Sequence, residues 1–162
     1  MKVKLLLAAS IMSMTSTAWA ENWVEVYRDK VGIPDGATYF IDQDSLKVQR
    51  GVVFFMSKTQ ERLTRKFSIG NDMYDYQIGE YAVDCKDKTM RGLGNAFYLK
   101  GGHLVGELPM NENVVFDKTG LDKSLFYKAE DADSAWANKI NYACNWMKKK
   151  DKKPKELAPA IH

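Results

Sequence analysis

The sequence predicts an α+β domain in which one antiparallel sheet of about six strands is covered by a C-terminal helix and carries one disulfide. Three observations lead to this prediction. Apolar and polar residues alternate over most of residues 21–118, and turn residues interrupt the alternation at short intervals. Residues 133–150 instead repeat apolar residues at helical spacing. The order, strands first and a helix last, is typical of this fold class.

The first predicted strands are short and separated by clear turns. We expect strands at 22–28, 37–41, 46–48 and 52–60. Between them, residues 42–45 form a polar corner, in which Asp42 and Ser45 would bond their side chains to the backbone. That structural role competes with a catalytic interpretation of the same two residues. Arg50-Gly51 predicts a hairpin turn, so the segments on either side should pair antiparallel.

The following region is less regular. Residues 61–71 contain a basic cluster and lead into the turn residues Gly70-Asn71-Asp72, which predicts a long connection. Strand character returns at 74–85, 89–99 and 103–107. Gly92 and Gly94 indicate a bulge or a close backbone approach within the second of these strands. Residues 109–123 predict an irregular excursion around the apolar run Val114-Val115-Phe116.

The C-terminal helix has the strongest local signal in the sequence. Its apolar stripe consists of Trp136, Ile140, Ala143 and Met147. Cys144 lies beside that stripe, where the helix should meet the sheet. Asp133 or Ser134 can cap the first turn, and the lysines at 148–150 complement the negative end of the helix dipole.

The first twenty residues predict an export signal. Lys2 and Lys4 precede a short apolar run at 5–14, and Ala18-Trp19-Ala20 matches a cleavage site. The run is shorter than the roughly 18 apolar residues of a membrane span. A lipoprotein signal would place a cysteine at the cleavage point, whereas the first cysteine is Cys85. We expect an exported chain, periplasmic, secreted or at the cell surface, without a lipid anchor or a transmembrane helix.

Charge divides the expected mature chain into a body and a tail. The formal net charge of +3 falls to +1 when Lys2 and Lys4 leave with the signal, and residues 148–156 hold six lysines against two acids, or +4. The body is therefore +1 minus +4, or −3. We predict a signal at 1–20, one domain at 21–147 and a basic, disordered tail at 148–162.

The two cysteines of an exported chain are most simply explained as one disulfide, Cys85 to Cys144. Such a bond would close a loop of about sixty residues, for which chain entropy predicts about 4 kcal/mol of stabilisation. The alternative is a reactive or metal-binding pair. Neither cysteine belongs to a CxxC motif or has a histidine beside it.

Several short segments match one protein family in order and spacing. They are Trp23-Val24-Glu25-Val26, residues 39–46, Gly51 before a strand, residues 81–85 and Tyr142-Ala143-Cys144. Through these segments the chain resembles the surface-adhesin protein E family. The resemblance implies a bent sheet with a C-terminal helix tied to it by the Cys85–Cys144 bond. It also implies an adhesin that binds host matrix and serum glycoproteins such as vitronectin and laminin, although the named adhesin is a lipoprotein and this sequence lacks the lipobox cysteine.

Basic side chains are the candidate ligand-binding residues. The candidates are Lys58, Arg62, Arg65 and Lys66 in the middle of the chain, and Trp146, Lys148, Lys149, Lys150, Lys152 and Lys153 near its end. A solvated charged surface explains such runs equally well. The functional hypothesis is contact with polyanions: sulfated glycans, acidic segments of host glycoproteins, lipopolysaccharide or anionic lipid headgroups. Nucleic acid is not expected as a partner of an exported protein with an acidic body.

Trp146 lies about 80 degrees from the centre of the helical stripe. This position suits either packing on the flank of the helix or a partner surface, such as a dimer contact.

The sequence contains no recognisable catalytic, metal or cofactor motif. His103 follows Gly101-Gly102 and could ligate a metal or haem, but a lone loop histidine is more often solvated. No phosphate loop, zinc spacing or serine-histidine-acid set is present. We therefore expect a non-enzymatic envelope protein with adhesin-like binding. The alternative is a periplasmic module for envelope maintenance or lysozyme inhibition.

Overall fold

The structure is a computed structural model that describes residues 22–30, 32–33, 36–66, 72–109, 115–117 and 120–152. The predicted export signal at 1–20, the tail from Lys153 onwards and residues 67–71 of the predicted connection lie outside the described residues. Within the described ranges, no helix combines the length and the apolar character that a membrane crossing would require.

The described residues form ten strands and one α-helix. The strands are β1 (Trp23–Arg28), β2 (Ala37–Asp42), β3 (Lys47–Gln49), β4 (Val52–Lys66), β5 (Met73–Asp84), β6 (Thr89–Tyr98), β7 (Leu104–Leu108), β8 (Phe116–Asp117), β9 (Gly120–Leu121) and β10 (Tyr127–Lys128). The helix is α1 (Ala135–Asp151). Eight strands form one antiparallel sheet. Six of them lie in the order β1-β2-β4-β5-β6-β10, and the other two pair beside this path, β3 with β4 and β7 with β6. Strands β8 and β9 form a separate two-stranded sheet. The predicted α+β fold is confirmed.

The polar corner and the hairpin form as predicted. The Asp42 carboxylate accepts a hydrogen bond from the Asp44 amide at 3.1 Å. Ser45 Oγ donates to the Asp42 carbonyl at 2.7 Å and accepts from the Met56 amide at 2.8 Å. Arg50 and Gly51 have φ values of 51° and 80°, the two successive positive angles of a tight hairpin turn. Asp42 and Ser45 therefore serve the backbone.

Strand β4 is longer than the sequence predicts. Residues 61–66, predicted as part of a connection, continue the strand, and Arg65 and Lys66 pair with Tyr74 and Met73 of β5. The pairing register shifts between Gln60 and Arg65, so a bulge lies inside the strand. The prediction of a connection was wrong because tertiary pairing with β5 extends the strand through a polar and basic segment whose local signal is weak.

Both faces of the inner sheet are covered. On one face, residues of α1 pack against the sheet in a cluster that includes Val53, Phe55, Val83, Ile140 and Ala143. On the other face, Val115, from the segment predicted as an irregular excursion, and Phe126, which follows that segment, pack in a cluster with Val52, Phe54, Ala82 and Leu93. Fully burying one such side chain contributes about 1.5–3 kcal/mol. Described residues of the predicted excursion and of the segment after it therefore form the second cover of the sheet.

Helix α1 begins and is attached as its sequence indicates. Ser134 is the N-cap, and its side chain accepts a hydrogen bond from the Ala137 amide at 3.2 Å. The predicted disulfide is present: Cys85 and Cys144 are bonded, with a Cα–Cα distance of 5.5 Å. The helix continues through Asp151, so residues 148–151 belong to its last turn and not to the disordered tail that was predicted to begin at 148.

Trp136 is partly buried and packs against the helix-side core. Its ring meets Tyr81 edge-on at 6.3 Å, and its Nε1 donates to the Tyr127 carbonyl at 3.2 Å. The indole therefore satisfies its polar atom while its ring joins the start of α1 to the sheet.

Candidate functional site

A groove of about 640 Å³ lies between the outer parts of β4 and β5 and the turn that joins β6 to β7. We call it the basic groove. Its lining is Lys58, Gln60, Glu61, Arg62, Thr64, Asp75, Tyr76, Lys100, Gly101 and Gly102. Three separate segments of the chain thus line one surface, and two of them, β4 and the turn, contribute its cations.

The walls of the basic groove are held by Asp75. Its carboxylate accepts a hydrogen bond from Thr64 Oγ1 on β4 and another from the Lys100 amide, each at 2.7 Å. The Thr64 hydrogen bond, followed by that of the Lys100 amide, lowers the pKa of Asp75. Gly101 and Gly102 have φ values of 101° and 89°, which glycine adopts without strain. Asp75 on β5 therefore connects β4 to the turn, and both of its carboxylate oxygens already accept hydrogen bonds from the protein.

A stacked aromatic pair forms the base for Lys58. Its Nζ lies 4.9 Å from the centroid of the Tyr76 ring, and Tyr76 stacks on Tyr98 with centroids 5.1 Å apart. The stack follows directly from the strand register, because Tyr76 and Tyr98 are opposite each other on β5 and β6. A lysine over a ring face keeps its three donors directed to solvent or to a ligand.

The two predicted arginines of this region have structural partners. Arg62 Nη1 donates to the Ile33 carbonyl at 2.7 Å, and Nη2 donates to the Asp29 carbonyl at 3.2 Å. Arg65 Nε lies 2.7 Å from Glu61 Oε2. Arg62 therefore fixes the segment between β1 and β2 while still lining the groove, and Arg65 neutralises a carboxylate within its own strand.

The remaining candidates form a second surface or lie apart. Lys66 is exposed at the end of β4 and does not line the groove. The basic helix end, which we define as Lys148, Lys149, Lys150 and Lys152, is exposed, and Lys153 lies outside the described residues. The described basic candidates thus belong to the basic groove, to the basic helix end or, for Arg65 and Lys66, to neither.

Trp146 packs against the helix-side core, with Lys150 Nζ 5.2 Å from its ring centroid. Flank packing, one of the two alternatives for this residue, is therefore confirmed. A binding role for it stays a prediction.

Of the residues that line the groove, only Lys58 and Arg62 were candidates from the sequence, and the most relevant of those it missed are Tyr76 and Lys100. Each has a weak local signal: Tyr76 belongs to an alternating strand, and Lys100 precedes a double-glycine turn. Their proximity to Lys58 depends on strand pairing across β4, β5 and β6, which the separate segments do not reveal.

Lys139 is the other functional candidate that the sequence did not indicate. It is only 4% exposed, although it is charged in solution and lies on a helix that is polar over much of its surface. Its Nζ lies 4.4 Å from the centroid of the Tyr81 ring and 5.3 Å from that of Tyr39. Burial lowers the pKa of Lys139 from 10.5 to about 7. In the sequence, the only indication that Lys139 would be buried is its position beside the predicted apolar stripe of the helix.

His103 is exposed, and its carbonyl accepts a hydrogen bond from the Leu99 amide at 2.9 Å. Across the described ranges, no group of three or more histidine, cysteine or acidic residues is arranged to hold a metal ion.

Comparisons with family models, with curated proteins and with solved structures found no match to this chain. The resemblance to the surface-adhesin protein E family stays a prediction.

Proposed function

We propose that this chain is an exported, non-enzymatic envelope protein that binds anionic macromolecules, with sulfated or acidic segments of host glycoproteins as the ligand class. The main support is the basic groove, whose lining combines Lys58, Arg62 and Lys100 with the ring of Tyr76. Its lining contains no histidine or cysteine that could act as a base or a nucleophile. Export, the adhesin-like role and the absence of catalysis are parts of the same proposal.

The charge of the groove favours an anion. Lys58, Arg62 and Lys100 carry three positive charges against the two carboxylates of Glu61 and Asp75. Glu61 is paired with Arg65, so counting that arginine gives four minus two, or +2. Both oxygens of Asp75 already accept hydrogen bonds. An approaching anion would therefore meet lysine donors with limited competition from the acids.

The weakness of each contact favours a polymer over a small anion. An exposed ion pair contributes about 0.2–1 kcal/mol, so two or three such contacts would hold a single small anion only loosely. A polymer with repeated charges could contact the groove and continue to other basic surfaces, and linked contacts reinforce one another. The basic helix end is one such surface, and it also suits lipopolysaccharide phosphates or anionic lipid headgroups.

The test is a charge-matched comparison of binding to heparin, used as a sulfated probe. Lys58→Gln combined with Lys100→Gln removes two charges from the groove. Lys86→Gln combined with Lys128→Gln removes two exposed charges that do not line it. We expect the first pair to weaken binding several-fold more than the second, and rising salt to weaken binding of the unmodified protein. Equal losses in both pairs, or binding unchanged at high salt, would contradict the role of the groove.

Substitution is a sharper test of the basic helix end than truncation. Deletion after Met147 would remove the last turn of α1 together with Lys150, which contacts Trp146. Lys148→Gln combined with Lys149→Gln keeps the helix, and we expect it to lower heparin affinity.

Cell location tests the adhesin part of the proposal. Antibody or protease added to intact cells should reach the protein if it contacts host glycoproteins. A protein found only in the periplasm and inaccessible from outside would exclude that role, while leaving polyanion binding within the envelope to the heparin test.

A further inference from the structure

A second cavity, of about 530 Å³, lies beside the start of α1. Side chains from β1, β2, β4, β5 and α1 all line it. We call it the lysine cavity, because Lys139 belongs to its wall. Its volume falls within the range of about 300–1,000 Å³ that is common for small-molecule sites.

Lys139 is a largely buried side chain whose Nζ has no acceptor among the described residues and still reaches the surface of the cavity. The side chain is 4% exposed, and no hydrogen bond or ion pair joins its Nζ to any of the described residues. Its contacts are the ring faces of Tyr39 and Tyr81. A buried amine without a hydrogen-bond partner is costly, and an apolar side chain at this position would avoid that cost. An acceptor brought by a ligand would satisfy Lys139 in the bound state.

Acidic side chains also line the cavity, which restricts the charge of a ligand. Asp29, Asp131 and Asp133 contribute to the wall. An anion attracted by Lys139 would meet these carboxylates, and a cation attracted by the carboxylates would meet Lys139. The arrangement therefore favours an uncharged ligand that offers both hydrogen-bond donors and acceptors.

The rest of the lining combines flat apolar surfaces with neutral polar groups. Tyr27 and Trp136 contribute rings, and Thr59 and Gln77 contribute a hydroxyl and an amide. Tyr27 OH donates to the Asp133 carbonyl at 2.9 Å, which joins the end of β1 to the segment before α1. Rings beside fixed polar groups suit a ligand with both hydroxyl groups and apolar C–H surfaces.

We propose that the lysine cavity binds a neutral saccharide unit, one hydroxyl of which accepts a hydrogen bond from Lys139 Nζ while the sugar ring packs against the aromatic lining. Other hydroxyls would donate to the aspartates and exchange hydrogen bonds with Gln77. The site is separate from the basic groove, and the inference does not depend on polyanion binding there.

The experiment titrates the disulfide-bonded protein with methyl β-glucoside, methyl β-galactoside and methyl N-acetyl-β-glucosaminide. Lysine labelled with ¹³C at Cε reports on Lys139 directly, and Trp136 fluorescence is a second readout. We expect at least one glycoside to shift the Lys139 signal saturably at millimolar concentration. Lys139→Met should weaken that binding about tenfold or more, since it removes the central donor. Lys86→Met, outside the cavity, should leave it unchanged.

Gln77→Ala is the second variant, and it tests the proposal in place of Lys139→Met if that variant does not fold. We expect it to lower glycoside affinity, with the far-ultraviolet circular dichroism spectrum unchanged. The proposal is overturned if no glycoside shifts the Lys139 signal, or if binding persists undiminished in the folded variants. It is also overturned if acetate or ethylammonium binds at this site more tightly than the glycosides, because the cavity would then be an ion site.

Discussion

The two halves of β4 belong to one strand but have different surroundings. In the inner half, Val52, Val53, Phe54 and Phe55 are each at most 1% exposed, because α1 covers one face and Val115 and Phe126 pack on the other. The outer half, 58–66, contains basic and polar side chains that are mostly partly or fully exposed. Hydrogen bonds and ion pairs with other segments hold the outer half in place.

This difference indicates how the fold separates stability from binding. The inner half derives its stability from apolar burial on two faces, which leaves no surface for a ligand. The outer half has little apolar cover, so lysines such as Lys58 remain accessible while Asp75 and Arg62 maintain the backbone. Lys139 combines features of both halves, since it is buried like a residue of the inner half but lines a cavity that a ligand could enter.

The largest expected effect is loss of an inner-half side chain. Phe54→Ala should lower the free energy of unfolding by about 3–5 kcal/mol, because Phe54 is fully buried and its loss leaves a cavity. Leu63→Ala on the outer half is the control. Leu63 is 57% exposed, so its replacement should change stability by less than about 0.5 kcal/mol. Urea unfolding measures the free energy of unfolding of both variants. Equal losses of stability in the two variants would contradict the difference between the two halves.

Loss of the disulfide should have the next largest effect. Replacing Cys85 and Cys144 together with serine should cost about 2–5 kcal/mol, since the bond ties α1 to the end of β5. Hydrogen exchange should show a greater loss of amide protection in the inner half of β4, which α1 covers, than in the outer half. If the outer half of β4 lost more amide protection than the inner half, the disulfide would not act mainly by holding α1 on the sheet.

Lys139 should make stability depend on pH. The folded pKa of about 7 lies below the unfolded value of 10.5, so the unfolded chain binds the extra proton and stability rises as pH increases between these values. The neighbouring Tyr39 and Tyr81 have pKa values raised to about 12, so they oppose this trend only above about pH 10. The carboxylates of Asp29, Asp131 and Asp133 also line the cavity.

Lys139→Met should therefore raise the free energy of unfolding at pH 7 by about 2–4 kcal/mol and remove most of the rise between about pH 7 and pH 9.5. Denaturant titrations at several pH values measure this. Lys86→Met should keep the wild-type rise. A variant with the same pH dependence as the wild type would show that Lys139 does not titrate in this range.

The smallest expected effect separates the structural role of Arg62 from its charge. Arg62→Lys keeps the charge but loses the two-pronged contact with Ile33 and Asp29, so it should destabilise by about 1–2 kcal/mol while keeping most heparin affinity. Lys58→Gln should do the opposite, with little change in stability and weaker binding. Chemical unfolding and heparin affinity, measured on both variants, test the distinction. Weaker heparin binding in Arg62→Lys than in Lys58→Gln would contradict it.

Local patterns predicted much of the fold. The alternation of strands, the Asx corner at Asp42, the hairpin at Arg50-Gly51 and the helix after Ser134 all depend on neighbours within a few residues, and each forms as expected. The extension of β4 was missed because Arg65 and Lys66 form strand only through pairing with Tyr74 and Met73. The same limitation applies to the candidate site, where Lys58 was identified but Tyr76 and Lys100 were not.

By itself, the sequence determined the fold class, the disulfide pair and the amphipathic helix, because composition and residue spacing encode local geometry and the two cysteines allow one internal pairing. Only the tertiary structure decided which charged residues are available to a ligand. It gave Arg62 and Arg65 structural partners, left Lys58 accessible over Tyr76 and buried Lys139 between two tyrosines. The physical reason is that burial and pairing of a charge depend on groups distant in sequence, which meet only when strands and helix pack.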